Sequence, residues 1–337
     1  MHMADALITP AVAGTMYACS AAAAGGSLKK VRMEDEPGKI PAMGVMGAFV
    51  FAAQMINFTI PGTGSSGHLC GGVLLTAILG PYAGFLTMIG VLLIQCLMFA
   101  DGGLALGCNI WNMAFYGCFI GGFLIWKQMM KRGVSRGKIM FASIAACVLT
   151  LQLGAFSVTL ETLASGVTEL PFGVFAAAMQ PIHLAIGLVE GAITAAVLLF
   201  VYEARPELIW TGEAGPGPIR EGKLSYKKTM LVLAAAAAVT AGGISLLASA
   251  YPDGLEWSIE RITGSAEIAA SGQAHVLAER IQSATALLPD YMFRHSESAA
   301  GTSVAGIAGG AAVILVCVLS CYAFRFFRKK EKHEQDR

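Results

Sequence analysis

Met1 and His2, at the head of the chain, together hold a complete chelating unit if the Met1 amine is free. That amine, the amide nitrogen of His2 and a ring nitrogen of His2 can close small rings around one divalent cation. His68 is the only other histidine before the middle of the chain, and it stands in a Gly/Ser-rich loop, PGTGSSGHLCGG, between apolar runs. An imidazole from that loop would supply a fourth nitrogen and complete a flat square. Square-planar nitrogen sites suit Ni(II) or Cu(II), whereas Zn(II) prefers a tetrahedron. The plain alternative is that His2 is an accident of the start site. Its bulky side chain is expected to protect Met1 from aminopeptidase.

Other polar residues are candidates to surround such an ion. His183 and Glu190 lie seven positions apart in one apolar run, hence on one helix face. Ionisable groups inside a membrane are costly and usually functional. A pair that orients the metal's ligands, an ion path and a structural clamp all fit; direct ligation is the weaker reading, because the chelating terminus and His68 already fill a planar site. Metal-bound histidines also need partners that orient them. Asn109 and Asn112 follow the DGGLALG loop, where they either hydrogen-bond an inserted N-terminal peptide or cap a helix start. Asp5 either offsets the ion's charge or caps the first helix, and Ser66 is counted with the pocket because it sits two residues before His68. Cys70 is a possible soft donor, though packing is the simpler role. Glu161 and Glu169 fall in an external turn and need no special role. His275, His295 and His333 read as solvated surface residues.

No Walker A, HExxH or GxSxG sequence occurs. The chain is therefore not expected to be an enzyme, and any ATP hydrolysis belongs to another chain. The eight cysteines lie mostly inside apolar runs without a CxxC spacing, which reads as packing and not as a disulfide or zinc framework.

The elements that must carry these residues are membrane helices. Apolar residues make up 55% of the chain and charged residues 13%. Mean hydropathy is +0.64. Net charge is +1, so neither nucleic acid nor another charged macromolecule is implied. The expected class is all-α, a polytopic transmembrane protein of about nine spans: 6–28, 41–60, 69–80, 82–100, 107–127, 138–160, 172–202, 229–250 and 303–325. Splitting the third apolar run at Gly80-Pro81 places the basic clusters at 29–39, 127–138, 220–228 and 325–332 on one side, the cytoplasmic one. The N-terminus is then outside and the C-terminus inside. The run 6–28 has no basic stretch before it and is expected to stay as a span, not to be cleaved. The split leaves 69–80 short, so the His68 loop must dip into the membrane, which is tolerated where irregular backbone lines a site. Gly14, Ala18, Ala22 and Gly26 recur at every fourth position of the first span, a small-residue stripe for internal packing or for docking another subunit. Residues 204–228 read as a cytoplasmic linker between a core, 1–203, and a two-span module, 229–337, with an external segment at 251–302.

MHMADALITP resembles the opening of the CbiM/NikM cobalt and nickel transport proteins, and PGTGSSGHLCGGVLLTAILGPYAG resembles their Gly/Ser–His–GG loop with its short span. ADGGLALGCNIWNMAFYG and PIHLAIGLVEGAIT are similar to two further blocks, and PDGLEWS to the PDGLE motif of a NikN-type accessory component. Ala6 stands where the family often has Gly, which alters the freedom of the loop but not its donors. The resemblance implies a fusion of two components in a prokaryotic cytoplasmic membrane. It implies the substrate-specific component of an energy-coupling factor (ECF) ABC importer for Ni2+ or Co2+, with Met1, His2 and His68 as ligands. The implied partners are a transmembrane scaffold (the T component), docked near Ala18 and Ala22, and cytosolic ATPases (the A components). The PDGLE resemblance inclines the reading to nickel. The rival readings are a membrane metal sensor and an ATP-independent secondary transporter with His183 and Glu190 as its proton relay.

Overall fold

The computed structural model describes residues 2–31, 38–212, 222–266, 272–294 and 298–335, with backbone only for 299, 325 and 327–335. Helix α1 (Pro10–Lys30) begins on a proline, which suits a first-turn position whose N–H would have no partner. Helix α2 (Lys39–Gln54) follows. The chain then forms a hairpin of β1 (Phe58–Ile60) and β2 (Ser65–Gly67), antiparallel, with Phe58 opposite Gly67 and Ile60 opposite Ser65. The chain is mostly helical, as expected; the hairpin adds two three-residue strands and cuts short the span drawn over 41–60. Pro61 lacks a helix donor, and the flanking Thr59, Ile60, Gly62 and Gly64 favour strand and turn.

Helix α3 (Gly72–Leu79) is separated from α4 (Pro81–Phe99) at Gly80, where φ is +78°. A side chain is strained in that region, and the following proline restarts the helix. At eight residues, α3 is about 12 Å long, too short for a ~30 Å hydrocarbon core. Every residue from Ser65 to Gly80 is buried, so the irregular backbone before α3 is enclosed by protein and does not face lipid.

Helix α5 (Leu106–Asn109) continues through a π-wound stretch, Ile110–Trp126, into α6 (Lys127–Met130). Helices α7 (Arg136–Ala164) and α8 (Phe172–Ala204) are the longest neighbouring pair and pack against each other. Trp210 anchors the chain beyond them: its N–H donates to Ala77 O at 2.8 Å and its carbonyl accepts from Trp126 Nε1 at 2.8 Å. Helix α9 (Tyr226–Gly242) and the last helix, α12 (Ala299–Gln335), flank α2. Between them lie α10 (Gly254–Thr263) and the polar α11 (Gln273–Thr285).

Among the described residues, five helical stretches are long and apolar enough to cross a bilayer: 81–99, 106–130, 136–164, 172–204 and 300–324. Helical elements stand at all nine expected places. However, α2 and α9 are short, with 16 and 17 residues, and α3 is shorter still.

Candidate metal centre

Residues 2–8 fold inward. Met3 and Leu7 are fully buried. Met3 N–H donates to Asn109 Oδ1 at 2.6 Å. Asp5 sits in a 3-10 turn, Asp5–Leu7, and its Oδ1 accepts from Ala105 N–H at 2.9 Å. It therefore ties the N-terminal loop to the start of α5 and does not cap α1, whose first turn has no side-chain cap. His275 departs most from the sequence reading. Its Nε2 lies 3.1 Å from Asp5 O and 3.0 Å from Ile8 O, so the ring from α11 grips the N-terminal turn and is not a free surface group.

This fold carries the His2 ring to 5.2 Å from the His68 ring, centroid to centroid, with the planes tilted by 30°. Both face a cavity of about 840 Å³ whose wall also includes Gln54, Gln95, Asp101 and Asp253. His68 Nδ1 is 3.1 Å from Leu69 O, so it donates there and leaves Nε2 as the lone-pair nitrogen on the cavity side. Burial holds the His68 pKa below the ordinary imidazole value and so favours the neutral ring. Met1, the first expected donor, lies outside the described residues, as do His295 and the side chain of His333. Among the described residues no three His, Cys, Asp or Glu side chains gather as a metal site. A cation held here would need main-chain nitrogens beside the two imidazoles.

Glu190 supports the loop from behind, and His183 packs beside it. Glu190 accepts from Cys70 N–H and Gly71 N–H, both at 3.0 Å, one on each carboxylate oxygen. Gly71 has φ +82°, and a Cβ there would lie 2.5 Å from Val50 Cγ1, so only glycine lets the chain turn at this point. Cys70 is engaged through its main chain on both sides, since its carbonyl accepts from Gln54 Nε2 at 2.9 Å. His183 Nδ1 donates to Met179 O at 2.8 Å, and its Nε2 has no hydrogen-bond partner among the described residues. The ring lies against Gly254, where a Cβ would come within 3.0 Å of His183 Cε1.

Two pocket assignments from the sequence are corrected. Ser66 does not line the cavity; its N–H donates to Pro252 O and its hydroxyl to Tyr251 O, each at 2.8 Å. The strand before His68 exposes donors that the 251–252 carbonyls satisfy. Asn112 turns away from the N-terminal loop and donates to Glu161 Oε2 at 2.8 Å. It is one helical turn on from Asn109, on a face that meets α7. Glu161, assigned no role from sequence, is the buried acceptor of that bond.

The PDGLE sequence becomes a helix start aimed at His68. Asp253 Oδ1 accepts from Leu255 N–H at 2.8 Å and Glu256 N–H at 2.9 Å, while Glu256 Oε2 accepts from Asp253 N–H at 3.1 Å, a capping box. Its Oδ2 faces His68 Nε2 at 3.9 Å. Trp257 Nε1 donates to Thr63 O at 3.0 Å and fastens α10 to the hairpin turn. Asp253, Gln54, Gln95 and Asp101 were missed as site residues. The signals were present: D-x-x-E before an apolar run marks a capped helix, and glutamines inside apolar helices call for partners.

Long apolar helices and a cavity onto which the His2 and His68 rings both face mark the class as a helical membrane protein with a polar pocket. Residues 2–208 match the family CbiM, cobalt uptake substrate-specific transmembrane region, and residues 227–326 match the PDGLE domain. The chain belongs to the CbiM family, fused here to a PDGLE domain, and is a transmembrane transport protein of the cobalt and nickel group. It is 35% identical over 332 residues to an inferred fused nickel transport protein, NikMN, of Archaeoglobus fulgidus, covering 97% of this chain and 99% of that one. It is 32% identical over 193 residues to the cobalt transport protein CbiM of Sorangium cellulosum, covering 54% and 81% respectively. The crystal structure of a truncated transition metal transporter matches with TM-score 0.52 and 30% identity, over 60% of this chain and 99% of that one.

Proposed function

We propose that this chain is the substrate-specific component of an ECF-type importer, which takes Ni2+ or Co2+ from outside and delivers it across the cytoplasmic membrane. The observation that carries the reading is the approach of His2 to His68, 5.2 Å between rings, in a cavity walled in part by the folded-in N-terminal loop. The proposed donors are the Met1 amine, the His2 amide and ring, and His68 Nε2. The family resemblance and the nickel and cobalt relatives support the ion class. The PDGLE module is proposed to hold the loaded conformation through Asp253, Trp257 and His275. ATP would be hydrolysed by separate A components acting through a T scaffold. Ala18 and Ala22, both exposed on α1, are the proposed docking face for that scaffold. Glu190 has both oxygens engaged by backbone N–H groups, which speaks against the rival proton-relay transporter.

The test is titration of the purified full-length chain with Ni2+ and Co2+, alongside His2→Ala, His68→Ala and a variant with one residue added before Met1. Each change is expected to lower affinity at least a hundredfold, because each removes a donor or displaces the amine. Unchanged binding in both histidine variants refutes the site. Binding without uptake, in membranes holding the ATPase partners, would favour a sensor.

A further inference from the structure

A line of amides runs from the backbone behind His68 to the ring of His2, and its polarity is fixed at one end. Cys70 C=O can only accept, so the Gln54 atom 2.9 Å from it is the Nε2 donor. Gln54 must then turn its oxygen away from Cys70, and that oxygen accepts from Gln95 Nε2 at 2.9 Å. Gln95 in turn is left with its own oxygen facing outward, 3.2 Å from His2 Nε2. Reversing any amide would set two acceptors against each other inside a buried site; Gln54 and Gln95 are only 6% and 1% exposed. A second acceptor faces the same nitrogen: Asp101 Oδ2, 4.0 Å from His2 Nε2 and held by Tyr291 O–H at 2.8 Å.

We propose that Gln54 and Gln95 are positioning residues that lock the His2 imidazole in its Nε2–H tautomer and so reserve Nδ1 for the metal. This rests on the functional reading above. Covalent geometry makes the choice matter. With the His2 amide nitrogen as a donor, Nδ1 closes a six-membered ring around the ion, whereas Nε2 points away from that amide. The wrong tautomer would put a proton on the nitrogen that must bind. The backbone carbonyl of Cys70, itself pinned through its own N–H by Glu190, thus sets the protonation of a ring from another part of the chain.

The experiment uses the full-length, metal-free protein labelled with 15N at the histidine rings, reconstituted in lipid nanodiscs, with His2→Ala identifying the His2 signals. The expected parent spectrum has His2 protonated at Nε2. Gln95→Leu removes the nearer acceptor, leaving Asp101 Oδ2 at 4.0 Å, and should move part of the population to Nδ1–H, with Ni2+ affinity falling in step. Gln95→Glu keeps an oxygen toward His2 and, protonated on the other, a donor toward Gln54 Oε1, and should retain the parent tautomer. Gln54→Met frees the Gln95 amide to turn and should give a mixed tautomer, with a lower melting temperature because the Cys70 carbonyl loses its donor. A parent His2 protonated at Nδ1 overturns the proposal without any variant. So does an unshifted tautomer in Gln95→Leu or, where that variant fails to fold, in Gln54→Met. Ni2+ binding that survives His2→Ala overturns the functional reading instead, which keeps the two failures distinct.

Discussion

At the scale of single residues, the roles are divided between groups that face the cavity and groups that hold the backbone behind it. His68 presents Nε2 forward because Leu69 O holds Nδ1, and Glu190 fixes the next two amides. Glu190→Ala would leave two buried N–H groups without partners, at about 1–3 kcal/mol each. The expected result is a destabilisation of about 2–5 kcal/mol together with weaker metal binding, whereas Glu190→Gln, which keeps one acceptor oxygen, loses less. Thermal melting and Ni2+ titration of both variants check this. Equal losses in both would mean that the carboxylate acts through its charge and not through its two oxygens.

At the scale of elements, the N-terminal loop has no regular hydrogen-bond ladder and depends on side chains brought from elsewhere. Asn109 holds Met3, Ala105 N–H holds Asp5, and His275 spans the carbonyls of Asp5 and Ile8. Only His275 belongs to the accessory module. His275→Ala should therefore loosen the loop without touching a proposed ligand. The bond is worth about 1 kcal/mol, so hydrogen exchange at residues 4–8 should quicken about fivefold and metal release should quicken with it. Exchange that stays at the parent rate would show that α11 does not hold the loop. Sequence served unevenly here. The break between α3 and α4 was legible because Gly80-Pro81 is a local signal. The Asn109 contact was one of two readings on offer. The hairpin was hidden because three-residue strands carry too little periodicity to register, and the bonds of Ser66 and His275 depend on segments about 185 and 270 residues away. Glu161 and Asn112 were misread for the same reason: each is hydrogen-bonded to the other across 49 residues.

At the scale of the whole molecule, the two modules share one site. The PDGLE helix start reaches His68, Trp257 clasps the hairpin turn, and α9 and α12 lie along α2. The small-residue stripe of α1 is uncovered among the described residues. Ala18 and Ala22 are exposed, and a Cβ added at Gly14 or Gly26 meets nothing within 4 Å. Lipid alone does not require small side chains every fourth residue, whereas the close approach of another helix does. The opposite side of the same helix is already used, with Ser20 Oγ donating to Gly107 O at 2.9 Å, so the stripe is free to serve a partner. Replacing Ala18 and Ala22 together by Leu would fill that approach while leaving the metal pocket untouched. The expected outcome is Ni2+ affinity within about twofold of the parent, with uptake in cells carrying the proposed scaffold and ATPases, and co-purification with them, both lost. Uptake and co-purification at parent levels would mean that the scaffold meets another surface, and α1 would then be a helix whose outer face only lipid touches.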